Sequence, residues 1–315
     1  MSTIQYLTAA IDSIDQRLDN YLLSRLKGLP KSRLYRIIRK GEVRVNKKRV
    51  KPDYRLQEGD IIRVPPLKLS RLTEKKPPNE KLASLLEKAI IFEDKNFLAI
   101  NKPSGLAVHG GSGIQLGVIE TLRAIRPQQK HLELVHRLDR DTSGCLLIAK
   151  KSSVLKELHE LLRSGAIKKI YLALVVGHWP KSLQKIDVPL YKNQLQSGER
   201  IVQVNQAGKI CLTEFRPIDY FSDTTLVEAM PITGRTHQIR VHAQYAKHPV
   251  IGDEKYGDKL ANKRLKALGC RRLFLHASQL NFILASTKQT FALKAELPYE
   301  LRCLLKQLGN CNSLI

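Results

Sequence analysis

GCLLIAKKSSVLKELHELLRSGAIKKIYLALVVG, residues 144 to 177, runs through an apolar segment, an amphipathic segment and a second apolar segment. GCLLIAK (144–150) and KIYLALVVG (169–177) have the short, bounded apolar composition of strands. Between them SSVLKELHELLRSG has helical periodicity, with Ser152 or Ser153 as N-cap and Gly165 as its stop. Such a unit repeated along the chain would build a doubly wound parallel sheet. Outward from it the repetition fails. Upstream, AIIFED (89–94) and FLAINK (97–102) are strand candidates. Downstream, TTLVEAMP (224–231) is a strand candidate and THQIRVHAQYA a helix opened by Thr236. Strands and helices do not alternate regularly, so the expected class is α+β, a mixed and mainly antiparallel sheet with packed helices over residues 85–315. No internal repeat of solenoid period is visible.

At 315 residues and 43% apolar content, the chain can bury one large core and support a small accessory domain. Its 54 Lys and Arg against 29 Asp and Glu give a formal charge of +25, which points to a polyanionic partner. Nucleic acid fits better than membrane. The charge is spread through folded segments, and no apolar run approaches the roughly 18 to 20 residues that span a bilayer. The start, MSTIQYLTAAIDSIDQR, lacks a basic segment followed by an apolar one, so a cytoplasmic location is expected. The five cysteines, Cys145, Cys211, Cys270, Cys303 and Cys311, are odd in number and scattered, and no histidine stands at ligand spacing. Reduced thiols and no metal are expected.

Residues 1–65 read as a separate unit. LDNYLLSRL (18–26) places Leu18, Tyr21, Leu22 and Leu26 at helical spacing. A second helix is marked by Ser32 as N-cap, apolar Leu34, Ile37 and Ile38, and Gly41 past its end. Arg33, Arg36 and Lys40 fall at i, i+3 and i+7, a column of cations suited to a phosphate backbone. EVRVNKKRV (42–50) reads as a short hairpin around Asn46, and EGDIIRVP (58–65) as a strand. Residues 1–80 carry 19 Lys or Arg against 9 Asp or Glu, a disproportionate share of the charge. Two helices followed by KGEVRVNKKRVKPDYRLQEGDIIRV resemble the S4 RNA-binding domain, a small α/β module. Residues 66–84, rich in Pro and Lys, read as a linker.

HRLDRDTSG (136–144) crowds two arginines and two aspartates into one turn-like stretch. A phosphotransfer aspartate normally follows an unbroken apolar strand, whereas here LELV runs into His136 and Arg137. An aspartic-protease reading of DTSG needs two carboxylates sharing a proton, and the chain has no second copy. A third reading takes one aspartate as nucleophile or electrostatic partner on a nucleic-acid substrate.

HRLDRDTSG, preceded by NKPSGLAVHGG (101–111) and followed by KIYLALVVG and PITGRTHQIRVHAQ (231–244), resembles the RluA family of pseudouridine synthases. Together with the S4-like front the resemblance covers almost the whole chain. The layout is that of the type acting on 23S (large-subunit) ribosomal RNA. The resemblance implies Asp139 as the catalytic aspartate, Tyr171 as the aromatic residue against the target uracil, and Arg240 as the basic partner of Asp139. Arg137 would enter the space left by the departing base, and Arg140 and Arg235 would contact RNA. The implied reaction breaks the N1–C1′ bond, turns the uracil and rejoins it through C5, with no cofactor. The implied partner is 23S rRNA or a large-subunit assembly intermediate, met by a monomer without membrane or metal.

The residue types suit that chemistry. A guanidinium favours the charged form of a neighbouring carboxylate, and its fork can orient both oxygens. A flipped base costs a few kcal/mol, of which ring stacking returns roughly 1 to 3 kcal/mol. His109 and His136 are candidate general bases, although a structural donor role is expected for His136. HGGSG (109–113) reads as a permissive loop and Asp141 as a turn former bonded by Thr142 and Ser143. KRLKALGCRR (263–272) reads as a solvated face or a second RNA surface. Two rivals stand beside the synthase: a catalytically inactive RNA-binding assembly factor, and a magnesium-dependent phosphotransfer enzyme using Asp139 and Asp141.

Overall fold

The computed structural model describes residues 3–26, 28–67, 80–110, 116–194 and 200–309. Cys311, residues 111–113 of the glycine-rich loop, and 68–79 of the expected linker lie outside them. The chain divides into two compact units, residues 1–77 and 78–315.

The first unit is a three-stranded antiparallel sheet carrying two helices. Strands β1 (Gln5–Thr8), β2 (Arg44–Val45) and β3 (Ile61–Val64) lie in the order β1-β3-β2, with helices α1 (Leu18–Arg25) and α2 (Lys31–Arg39) between β1 and β2 in sequence. Leu18, Leu22, Leu34, Ile37, Ile38, Val45, Leu56 and Ile62 form its core. Pro30, not Ser32, occupies the cap position of α2, and no side chain caps it. Proline suits a helix entry because its missing N–H is not needed there. Asn46 and Lys47 have left-handed φ values of 48° and 65°, the geometry of a two-residue hairpin turn closed between Val45 and Lys48. Asn46 Nδ2 donates to Asp60 Oδ1 at 2.7 Å, while its Oδ1 accepts the Ile61 N–H at 2.9 Å. The asparagine and aspartate of the sequence motif therefore lock turn to strand.

The second unit begins with α3 (Glu80–Lys88), so residues 80–84, read from sequence as linker, are helical. Its strands are β4 (Ile90–Glu93), β5 (Phe97–Lys102), β6 (Glu133–Leu134), β7 (Ser143–Ala149), β8 (Lys168–Val176), β9 (Lys185–Asp187), β10 (Leu190–Gln194), β11 (Arg200–Val204), β12 (Leu212–Tyr220), β13 (Thr224–Pro231), β14 (Leu275–Leu284) and β15 (Gln289–Lys294). Its further helices are α4 (Val118–Ile125), α5 (Ser152–Arg163), α6 (Gln238–Tyr245), α7 (Lys259–Ala267) and α8 (Tyr299–Gln307). One sheet runs β4-β5-β7-β14-β8-β13-β12-β9, with β6 on β7 and β15 on β14, while β10 and β11 form a separate hairpin. Every pairing among these described strands is antiparallel except β7 with β14. The expected α+β class holds. β7 and β8 are not neighbours: β14 lies between them, parallel to β7 and antiparallel to β8. The α5 segment therefore returns the chain in the opposite direction and makes no parallel crossover.

Both faces of the sheet are covered, which explains why its strands read as continuous apolar runs. Phe97, Ala99, Cys145 and Leu147 pack on Val154 and Leu158 of α5. Their sequence neighbours Leu98, Ile100, Leu146 and Ile148 pack on Val118 and Leu122 of α4. At the other end Val175 and Val227 meet Ile239 and Ala243 of α6, while Leu174 and Leu226 meet α7 and α8. Gly144 is required where β7 touches β14. Its φ is +114°, and a Cβ would stand 2.2 Å from the Ala277 carbonyl oxygen. Among the described residues no helix is long and apolar enough to cross a membrane.

Candidate active site

HRLDRDTSG becomes the loop between β6 and β7, near the middle of the sheet. The Thr142 N–H bonds the Asp139 carbonyl at 3.2 Å and closes the turn. Backbone carbonyls of the loop are then held from outside. Arg140 O accepts from Gly105 N at 2.9 Å and from Lys102 Nζ at 3.0 Å, and Asp141 O accepts from Ser104 Oγ at 2.7 Å. Lys102 is fully buried and also donates to Pro103 O and Leu106 O, both at 2.9 Å. Burial pushes its pKa down to about 7. Three carbonyls match the three protons of an ammonium, a fit that a neutral amine with two N–H groups lacks. Lys102→Met leaves those acceptors without the donor, and a loss of about 2 to 4 kcal/mol of stability is expected, measured by urea unfolding.

Ser143 does not bond the turn backbone, as the sequence reading had it. Its Oγ lies 2.9 Å from His276 Nδ1 and accepts from Arg272 Nη2 at 2.7 Å. His276 Nε2 faces the Ala295 carbonyl at 3.0 Å, so the ring donates there and receives the Ser143 proton at Nδ1. Arg272, part of the stretch read as a solvated face or RNA surface, is instead partly buried and directed inward to Ser143, with Glu300 at 3.1 Å on its other side.

Asp139 opens into a cleft of 570 Å³ lined by Arg137, Lys169, Tyr171, Arg235, His237 and Arg240 among others. Its side chain is 23% exposed. Lys169 and Tyr171 share one face of β8 by strand alternation. Burial, and after it the charge of Asp139, raises the Tyr171 pKa well above the ordinary phenol value, so the ring stays neutral. Arg137 and Arg235 are exposed at the cleft. Arg140, also exposed, lies 3.2 Å from Asp141 and lines a neighbouring 1220 Å³ cleft that shares His237 and Arg240 with the first.

Arg240, expected as the basic partner of Asp139, stands beside it but reaches a second acid as well. Its Nε and Nη2 grip Asp253 at 2.6 and 2.7 Å, and only Nη1 turns to Asp139, at 3.5 Å. Asp253 is fully buried and also accepts the Lys255 and Tyr256 N–H groups at 2.9 and 3.0 Å. The guanidinium is thus fixed by Asp253 and turns its Nη1 toward Asp139. Thr236 does not open α6; His237 does, at φ 54° and ψ 18° with no side-chain cap. A non-glycine residue in that region costs about 1 to 3 kcal/mol, and such strain gathers at functional sites. Gln238 orders the same turn, its Oε1 accepting from Thr233 Oγ1 at 2.7 Å and Arg235 N at 3.0 Å.

His136 Nε2 accepts the Leu147 N–H at 3.1 Å, which leaves the ring proton on Nδ1, and burial drives its pKa to about 4. A neutral ring committed to a strand amide is structural, not a general base. His109 is exposed and lines neither cleft.

The family model described as RNA pseudouridylate synthase matches residues 96–245, which include Asp139, Tyr171, His237 and Arg240, and the S4 domain model matches residues 16–62. A protein of Haemophilus influenzae named ribosomal large subunit pseudouridine synthase C is 52% identical over 98% of this chain and 96% of its own length. The chain belongs to the RNA pseudouridylate synthase family. A synthase of the same printed name from Escherichia coli is 50% identical over 98% of each chain. The solved structure titled human RNA pseudouridylate synthase domain containing 4 superposes with a TM-score of 0.60 at 31% identity, covering 72% of this chain and 95% of that one.

Lys169, His237 and Asp253 stand at or behind this cleft and carry no expectation from sequence. Asp253 sits in a loop with no motif of its own. His237 has a sequence signal only in its closeness to Arg240, within the PITGRTHQIRVHAQ stretch.

Proposed function

We propose that the protein converts specific uridines of large-subunit ribosomal RNA to pseudouridine, with Asp139 as the reacting carboxylate. The observation that carries this is one cleft holding a partly exposed carboxylate, a cationic wall and a neutral phenol ring. Arg137, Lys169 and Arg235 suit phosphates on either side of an everted nucleotide, and Tyr171 offers a ring against its uracil. The reaction is balanced within the substrate. The N1–C1′ bond breaks, C5–C1′ forms, the C5 proton leaves, and N1 gains a proton. Asp139 acts at the sugar or the base, and Arg240, locked by Asp253, supplies a fixed positive charge beside it. Residues 1–65 act as the RNA anchor, and the enzyme works as a cytoplasmic monomer without cofactor.

Incubating purified protein with an unmodified large-subunit rRNA transcript in the presence of chelator tests the reading. Carbodiimide-dependent reverse-transcription stops at discrete uridines are expected. A transcript that stays unmodified favours the inactive assembly factor, and activity that vanishes with chelator favours magnesium chemistry at Asp139 and Asp141.

In the anchor, Arg36 and Lys40 are exposed and Arg33 is partly so. Replacing all three with glutamine is expected to weaken RNA binding and to lower the slope of log affinity against log salt by about 2 to 3, because each phosphate contact releases close to one counterion. Filter binding across a salt series measures it; an unchanged slope removes the α2 column from the binding surface.

A further inference from the structure

His237 meets the reacting end of the site and a support behind it. Its Nε2 stands 3.7 Å from Asp139 Oδ2, and its Nδ1 stands 2.8 Å from the Tyr256 hydroxyl. That hydroxyl oxygen already accepts the Val202 N–H from β11 at 3.0 Å. The Tyr256 proton therefore has the Nδ1 lone pair as its acceptor, and the ring proton falls on Nε2. The opposite tautomer would aim the Nε2 lone pair at a carboxylate oxygen, two acceptors face to face.

Arg240 gives Asp139 no forked grip: it faces Asp253 with Nε and Nη2 and reaches Asp139 through Nη1 alone, at 3.5 Å. We infer that His237, in its Nε2–H form, is the second hydrogen-bond donor to Asp139 and the residue that orients its attacking oxygen, a positioning role set by Tyr256. The inference rests on Asp139 being the reacting carboxylate. The 3.7 Å separation in the free enzyme is of the kind that tightens when substrate fills a site.

The surroundings keep the ring neutral enough to serve. Burial lowers the His237 pKa below its ordinary value, and Arg240 and Lys255 oppose protonation, while Asp139 and Asp253 favour it. His237 also has a left-handed backbone while its ring lines the cleft, so the strain falls on a residue of the site, where such strain gathers. Tyr256 ties that ring to the rest of the site, its own ring lying 5.0 Å from the Arg240 guanidinium carbon and its N–H on Asp253.

His237→Gln and His237→Leu, similar in size and equally strained at φ 54°, separate donation from packing. Single-turnover rates and RNA affinity are measured for both, beside Asp139→Asn. The leucine variant is expected to bind RNA within about 2-fold of wild type while its rate falls roughly 10- to 100-fold, and glutamine, which restores an N–H, recovers at least about 10-fold of that. Equal rates for the two variants overturn the inference. Should either variant fold poorly, ¹⁵N-histidine spectra of the wild-type protein decide instead. The His237 signal, identified by its loss in either variant, is expected to carry its proton on Nε2 and to mix tautomers in Tyr256→Phe; a proton on Nδ1 in wild type overturns the inference. An active Asp139→Asn would sink the reading of the carboxylate itself, whereas an inactive one with equal His237 variants sinks only the donor role.

Discussion

Asp139→Asn is expected to lower pseudouridine formation by at least roughly 1,000-fold, about 4 kcal/mol of transition-state stabilisation, with the fold and RNA affinity retained. The amide has the shape of the carboxylate but neither its charge nor its ability to add to a sugar or base or to take a proton. The surroundings make the variant a clean one. Asp139 is partly exposed, and the Arg240 guanidinium keeps Asp253 as its partner when Asp139 loses its charge. No buried cation is orphaned. A melting temperature close to wild type, together with an absence of carbodiimide-dependent stops, is the expected pair of results. Modification at the wild-type rate would remove Asp139 from the chemistry.

Asp253→Asn should show the converse pattern, a loss of stability together with a loss of rate. Asp253 is completely buried, and Arg240 is 9% exposed. Removing one partner of a buried pair strands the other charge and costs about 3 to 5 kcal/mol. For a body of this size that lowers the melting temperature by roughly 6 to 20 °C. Activity should fall as well, because the N–H that Arg240 turns toward Asp139 is aimed by Asp253. The pH dependence provides a second check. Burial works against the ionised form of Asp253, yet the Arg240 hydrogen bonds prevail and leave its pKa below the ordinary carboxylate value. A depressed folded pKa gives stability that is full above the unfolded value, near pH 4, and lost as pH falls through the folded one. Thermal melts between pH 2 and 7 should therefore show wild type losing its advantage over Asp253→Asn on the acid side. A constant gap would mean that the pair is not the source.

Local patterns carried much of the fold. TTLVEAMP and FLAINK became β13 and β5 with the bounds read from sequence, because both strands are buried on two faces and so are mostly apolar at successive positions. β14 and β15 were passed over. LHASQLNFIL mixes His276, Ser278, Gln279 and Asn281 into a central strand, and His276 and Ser278 find their partners only in the folded sheet. Helix entries fared worst. The hydroxyls of Ser32, of Ser152 or Ser153, and of Thr236 point to caps, while Pro30, Lys151 and His237 occupy those positions without side-chain caps. Tertiary packing can set where a helix begins, and α6 shows it: Gln238 in its first turn bonds Thr233, Leu212 and Thr213.

The sequence by itself determined the two-part organisation of helices and strands, the excess of positive charge, and the loop in which Asp139 lies beside arginines, because each is written in neighbouring residues. Only the tertiary structure decided which acid Arg240 grips, which way Arg272 turns, and that His237 stands between Tyr256 and Asp139. Those contacts join residues 13 to 129 positions apart. Their geometry depends on strand order and on how closely the helix beginning after His237 packs against β8 and β13, and neither is encoded in any short stretch of the chain.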